Sequence, residues 1–94
     1  MYSMDEAERF AAEFLRQKYE GHEFEVALFG EDKWRALKGE YYYFNWQSVK
    51  YIETGDDKYF LYGATFIAVH SVTGECRFLN IHECLAADPF SLPK

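Results

Sequence analysis

The hydrophobic positions near the start of the chain repeat with the period of an α-helix. Apolar side chains recur at the i, i+3, i+4 and i+7 spacing of one helical face, namely Ala7, Phe10, Ala11, Phe14, Leu15 and Tyr19. Ser3 and Glu6 have the spacing of a capping box, and Gly21 suits a left-handed helix stop. The pattern predicts a helix over residues 4–19 whose charged opposite face is solvated.

Beyond this segment the hydrophobic period falls to two residues, which is typical of β-strands. Apolar and polar residues alternate over 24–28, and Gly30 ends this first predicted strand. The longest predicted strand covers residues 41–47. Its apolar stripe, which we expect to be buried, is Tyr42, Phe44 and Trp46, and its opposite face carries Tyr41, Tyr43, Asn45 and Gln47.

Short helical segments and a hairpin complete the predicted order. Asp56 and Asp57 can cap a helical turn over residues 59–62 that Gly63 ends. Strands over 65–70 and 75–79 flank a turn whose Gly74 suits a bulge. A second capping box, Asn80 with Glu83, begins a last short helix that Asp88 and Pro89 end.

This order of elements predicts one α+β domain over residues 1–94. No crossover helix of a βαβ unit is present, so consecutive strands should pair antiparallel. We expect a four-stranded antiparallel meander with the N-terminal helix packed on one face. The short helical segments precede the third strand and follow the fourth.

Composition and charge narrow the function. The 94 residues include 2 Trp, 8 Tyr and 9 Phe, more rings than so small a domain readily buries, so some should be exposed. The net charge of −6 argues against binding to nucleic acid or to an anionic membrane and favours encounter with a cationic protein. The same charge could also serve solubility alone.

No cofactor or metal site is predicted. The glycines do not form a phosphate-binding fingerprint, and Cys76, Cys84, His70 and His82 lack a metal-ligand spacing. The two cysteines do not form a disulfide framework, and no stretch approaches the length of a membrane span. These features favour a reduced, cytoplasmic protein.

Three groups of residues are candidate partner contacts: Tyr41, Tyr43, Asn45 and Gln47 on the strand face, Glu53, Asp56 and Asp57 at the following turn, and Trp34. Tyrosine and tryptophan are frequent interface anchors. Each group also has a local alternative, because the strand face could pack inside the domain, the aspartates could cap a turn, and Trp34 could be buried.

A recognisable pattern runs from Tyr42 to Leu85. Its residues are Tyr42, Phe44 and Trp46, the run Tyr51, Ile52, Glu53, Thr54, Gly55 and Asp56, then Leu61 and Gly63, and finally Thr73, Gly74 and Glu75. This pattern resembles the YrhB-like family, also called the immunity protein 35 family. The resemblance implies a non-enzymatic inhibitor of a polymorphic toxin system that binds a cognate toxin domain, and the net charge of −6 favours a basic surface on that domain. It would act by occluding the toxin's active site.

Three alternatives stay open. A small enzyme would require a concave pocket that holds at least one Glu, Asp or His with a strongly shifted pKa. The exposed aromatics could instead bind partly folded chains, as a chaperone-like or stress-linked accessory module does. A long edge strand could also pair two copies into a homodimer.

Overall fold

The computed structural model describes residues 1–62 and 64–90 and confirms the α+β class. Within them the helices are α1 (Met4–Lys18), α2 (Val49–Thr54) and α3 (Ile81–Ala87). The strands are β1 (Val26–Leu28), β2 (Arg35–Lys38), β3 (Tyr41–Phe44), β4 (Trp46–Ser48), β5 (Ile67–His70) and β6 (Cys76–Phe78). Single 3₁₀ turns cover Asp32–Trp34 and Asp57–Tyr59. The predicted stop at Gly63 and the last residues, 91–94, lie outside the described residues.

Helix α1 forms as its pattern predicts. Ser3 Oγ accepts a hydrogen bond from the backbone N–H of Glu6 at 3.1 Å, and Glu6 Oε1 accepts one from Ser3 N at 3.1 Å. The helix ends at Lys18, one residue earlier than predicted, and Gly21 has the left-handed φ of 85°. Its buried face, Ala7, Ala11 and Leu15, packs on the sheets.

The predicted four-stranded antiparallel meander is confirmed, and a second, two-stranded antiparallel sheet accompanies it. The four-stranded sheet has the order β2-β3-β5-β6, and β1 pairs with β4 in a separate two-stranded sheet. The predicted first strand therefore lies outside the larger sheet, and β2 takes its place there. Strand β2 was not predicted, because it is an edge strand with an exposed Leu37 and shows no clear alternation of apolar and polar residues.

The predicted strand over residues 41–47 is two strands that meet at Asn45. The backbone N–H of Asn45 donates to the carbonyl oxygen of Trp34 at 3.1 Å, and its own carbonyl accepts from Phe29 N at 3.0 Å. Its side-chain oxygen accepts from the backbone N–H of Trp46 at 2.9 Å. Asn45 is thus the point where the chain passes from the larger sheet to the smaller one.

The predicted core stripe is confirmed. Tyr42, Phe44 and Trp46 are all buried and pack with the apolar face of α1 and with Ile67 and Val69 of β5. Because these side chains come from both sheets and from α1, one core holds the two sheets together.

The hairpin and the last helix also follow their predicted signals. Gly74 has a φ of 75°, in the left-handed region that favours glycine. Asn80 and Glu83 form the capping box, with Glu83 N donating to Asn80 Oδ1 at 2.8 Å. Helix α3 ends at Ala87, before Asp88.

Candidate partner-binding surface

Helix α2 forms one wall of the candidate surface, and sequence reasoning missed it. Ser48 Oγ accepts a hydrogen bond from Tyr51 N at 3.1 Å and caps the first turn. At the other end Gly55 has a φ of 69° and its N–H donates to Tyr51 O at 2.7 Å. Sequence reasoning places a turn near Glu53 and no helix before it. Ser48 as an N-cap and Gly55 as a left-handed stop are the local sequence features that indicate this helix.

The loop after α2 is shaped by the predicted aspartates. Asp56 Oδ1 accepts a hydrogen bond from Lys58 N at 3.1 Å, so this carboxylate caps the 3₁₀ turn Asp57–Tyr59. The helical turn predicted over residues 59–62 is absent, since the 3₁₀ turn ends at Tyr59 and Phe60 is extended. The local alternative for Asp56 is therefore realised, while its carboxylate stays at the surface.

Two buried polar side chains of β4 fasten this loop. Gln47 is 3% exposed; its Nε2 donates to Leu61 O at 3.1 Å and its Oε1 accepts from Leu61 N at 2.9 Å. Ser48 Oγ donates to Tyr59 O at 2.6 Å. The prediction that Gln47 shares an outward face with Tyr41 and Tyr43 is wrong, because all of β4 is buried beneath the loop.

A cavity of about 570 Å³ opens between the segment before β1, helix α2 and the loop. We call it the aromatic groove: its apolar lining is Phe24, Val49, Tyr59, Phe60 and Leu61, and its charged residues are Glu25, Lys50, Glu53 and Lys58. The sequence pointed to Glu53 among these residues. It missed the aromatic rings, because no periodic pattern brings residue 24 next to residues 59–61.

The rings at the groove are exposed yet held in place. Phe24 is 39% exposed, Phe60 is 36% exposed and Tyr62, beside the groove, is 84% exposed. The Phe60 ring packs edge-on against Tyr51 at 5.0 Å between centroids and against Tyr62 at 5.1 Å. Large apolar side chains at a concave site are typical of binding surfaces.

The charged residues of the groove lining are balanced, two acidic and two basic, and Asp56 and Asp57 in the adjoining loop add negative charge. The ammonium groups of Lys50 and Lys58 lie 5.3 and 5.0 Å from the centroid of the Tyr59 ring, and Lys58 Nζ is 4.0 Å from Asp56 Oδ2. Within the described part of the chain, Glu25, Glu53 and Asp57 make no ion pair. The lysines are thus engaged by the domain itself, and the carboxylates remain open to a partner.

Tyr41 and Tyr43 lie on the opposite side of the larger sheet from α1 and are half-buried. The Tyr41 ring stands edge-on to His70 at 5.1 Å, and the Arg77 guanidinium lies 5.9 Å from its centroid. Burial raises the pKa of Tyr43, and the nearby Arg77 opposes this shift. These phenols are accessible only in part.

Helix α3 lies against the same face of the sheet. Arg77 Nη2 of β6 pairs with Glu83 Oε2 at 2.7 Å, and the Lys38 ammonium of β2 donates to the carbonyl oxygen of Ala87. The bond from Arg77, with the Asn80 backbone N–H, lowers the pKa of Glu83. Two polar contacts therefore hold α3 across the strands.

The Arg77–Glu83 contact predicts a pH-dependent stability. The pKa of Glu83 is lower in the folded state than in the unfolded state, so its ionised carboxylate stabilises the fold. This stabilisation is complete above the ordinary glutamate pKa of about 4.3. It is lost as the pH falls through the lower pKa of the folded state. Urea unfolding of wild type and Glu83→Gln from neutral to acidic pH should show a stability gap that closes at low pH. Glu75→Gln is the control, and a pH-independent gap for Glu83→Gln would contradict the assignment.

Trp34 lies apart from both surfaces. Its half-buried indole contacts the ring of Phe29 at 5.6 Å and that of Phe90 at 5.7 Å, and the Lys33 ammonium lies 5.6 Å from it. The predicted contact residues are thus distributed over the α3 side of the sheet, the groove and the Trp34 corner, with Gln47 inside the domain.

The described residues contain no group of three or more His, Cys, Asp or Glu side chains that could hold a metal ion. Cys76 and Cys84 are free and half-buried, and burial raises the pKa of Cys76. His70 Nδ1 accepts hydrogen bonds from the backbone N–H groups of Val72 and Thr73, at 3.2 and 3.3 Å, so it stabilises the hairpin turn. In the part of the chain that the structure describes, no helix has the length and apolar character needed to cross a membrane.

No protein-family profile, curated protein or solved structure matches the chain. The resemblance to the YrhB-like family stays a prediction that rests on the residues named for it.

Proposed function

We propose that this protein is a cytoplasmic immunity protein that binds a toxin domain and neutralises it by covering its active site. It acts by binding and carries out no reaction of its own. The aromatic groove is the observation that carries the proposal. The family resemblance supports a toxin as the partner, and the net charge of −6 supports a partner with a basic surface.

The groove suits protein recognition because its shape exists before binding. Buried Gln47 and Ser48 fix the loop backbone at Tyr59 and Leu61, so little further ordering is needed when a partner arrives. The exposed rings of Phe24 and Phe60 supply apolar area of the kind that dominates interface energetics.

The carboxylates at and beside the groove explain how this protein could block the active site of a toxin. Glu25 and Glu53 of the groove lining, and Asp57 in the adjoining loop, can meet lysine or arginine side chains that a toxin uses to hold its own anionic substrate. A bound immunity protein then excludes the substrate by both volume and charge. The same negative field speeds association with a basic toxin.

Co-expression with a candidate toxin domain tests the proposal, and the product of the neighbouring gene is the first candidate. Cells carrying both proteins should survive, cells carrying the toxin alone should die, and the two proteins should co-purify as a stable complex. Equal cell death with and without this protein, together with the absence of a complex, would refute the function.

Within that complex, Phe60→Ala should raise the Kd by about 30-fold, as expected when a central aromatic anchor worth about 2 kcal/mol is truncated. The matched control is Leu85→Ala, which removes a 74% exposed apolar side chain from α3. Titration calorimetry on both variants measures the difference. Equal Kd values for the two variants would place the toxin away from the groove.

A chaperone-like accessory role is the second candidate. It is favoured by exposed apolar residues outside the groove, among them Ile81 and Leu85 of α3. This role requires weak binding to many denatured clients. One tight partner would argue against it.

A further inference from the structure

The lining of the aromatic groove selects the chemistry of its ligand. We propose that the groove takes a single large apolar side chain flanked by lysine or arginine on an extended segment of the partner protein. This inference rests on the proposed function, because it names the partner segment that the same site binds.

The size of the groove limits the size of the side chain that it can bind. Its volume of about 570 Å³ falls within the range of roughly 300–1,000 Å³ that is typical of ligand pockets. Phe24 and Phe60 both line the groove, and Val49 is the first residue of α2. An aromatic or long aliphatic side chain that enters the groove can contact both rings.

The positive charges at the groove are already engaged. Lys50 and Lys58 both lie against the ring of Tyr59, and Lys58 also faces Asp56. An anionic ligand would have to draw these ammonium groups away from their present contacts. The lysines therefore do not select an acidic partner.

The negative charges of the groove lining come from two different elements of the fold. Glu25 lies just after Phe24, and Glu53 lies on α2 near its end. Neither carboxylate forms an ion pair in the described part of the chain, and both belong to exposed residues. Cationic side chains next to an apolar anchor can meet these two carboxylates, so the charge pattern complements a basic segment.

A binding experiment with short synthetic peptides tests this chemistry on the full-length protein. The probe is Gly-Lys-Ser-Trp-Ser-Lys-Gly, and ¹⁵N-labelled protein is titrated with it while amide shifts are recorded by NMR. We expect saturable shifts confined to residues near 24–25, 48–53 and 58–61, with a Kd on the order of 1 mM, as suits a small isolated ligand.

Two altered peptides separate the apolar and the ionic contributions. Replacing Trp by Ala, or both Lys by Glu, should each weaken binding at least about tenfold, which corresponds to about 1.4 kcal/mol. Equal binding of the acidic peptide, or shifts spread evenly over the acidic surface, would overturn the inference.

Protein variants locate the contacts. Glu25→Gln and Glu53→Gln should each raise the Kd for the basic peptide by about twofold to fivefold, the range for exposed charge pairs. The control Glu75→Gln removes an equal charge from the distant hairpin and should leave the Kd unchanged. If all three variants lose affinity equally, the attraction is unspecific and the inference fails.

The two proposals fail in different ways. If the toxin is neutralised and bound but the basic peptide does not bind the groove, the immunity function stands and the toxin docks elsewhere. If the peptide binds as expected but co-expression gives no rescue and no complex, the ligand chemistry stands and the immunity function is lost.

Discussion

Trp46→Ala is expected to lower the free energy of unfolding by about 3–5 kcal/mol. Trp46 is 2% exposed, and its ring packs against Tyr19 and Phe78 at centroid distances of 5.1 and 5.8 Å. Its Nε1–H donates to Thr65 O at 2.6 Å. Truncation therefore opens a cavity and also removes the side-chain donor to the carbonyl of half-buried Thr65.

The effect should be large because Trp46 lies where the two sheets and α1 meet. A loss of this size is a large share of the 5–15 kcal/mol by which small domains are usually stable. Urea unfolding measures it, and Trp34 remains as a fluorescent probe in the variant. Leu85→Ala is the control and should change stability by less than about 0.5 kcal/mol, since its side chain is exposed. A Trp46→Ala loss below about 1 kcal/mol would contradict this description of the core.

Sequence patterns predicted those elements whose signals are local and repeated. The helical spacing from Ala7 to Tyr19 and the capping pair of Ser3 and Glu6 were enough for α1. The stripe of Tyr42, Phe44 and Trp46 was enough for the core, because a wholly apolar stripe has only one favourable side.

Strand β2 could not be predicted, because its place depends on contacts with distant residues. Its first residue, Arg35, makes ion pairs with Glu8 of α1 at 2.8 Å and with Asp32 at 2.8 Å. The strand is fixed by pairing with β3 along one edge. None of these contacts leaves a periodic pattern in residues 35–38.

The same limit applies to the candidate surface. The alternation of side chains along one continuous strand over residues 41–47 predicts that Gln47 faces outward. In the structure Asn45 separates β3 from β4, and the loop over residues 59–61 covers β4. The groove itself joins residues that are more than 30 positions apart in the chain, such as Phe24 and Phe60. Glu53 was found because its turn is rich in carboxylates, which is a local signal.

Gln47→Met is expected to lower the free energy of unfolding by about 2–3 kcal/mol and to loosen the groove wall. Methionine keeps nearly the volume of glutamine, so the change removes hydrogen bonds and opens little cavity. The N–H and C=O of Leu61 lose their partners at 2.9 and 3.1 Å, and a half-buried backbone group without a partner costs about 1–3 kcal/mol.

The region in which hydrogen exchange accelerates shows whether Gln47 holds the loop over residues 59–61 or only packs in the core. Amide hydrogen exchange should accelerate over residues 59–61 in Gln47→Met well before it changes in α1, and peptide affinity at the groove should fall with it. Gln17→Met is the matched control, because the side-chain amide of this glutamine donates to Glu13 on the exposed face of α1. Uniform acceleration of exchange throughout the domain, or none in the loop, would show that Gln47 does not hold the groove open. If protection from exchange is lost only in the loop, the buried amide of Gln47 keeps the groove formed before a partner binds. The exposed rings alone would then not be sufficient to form this surface.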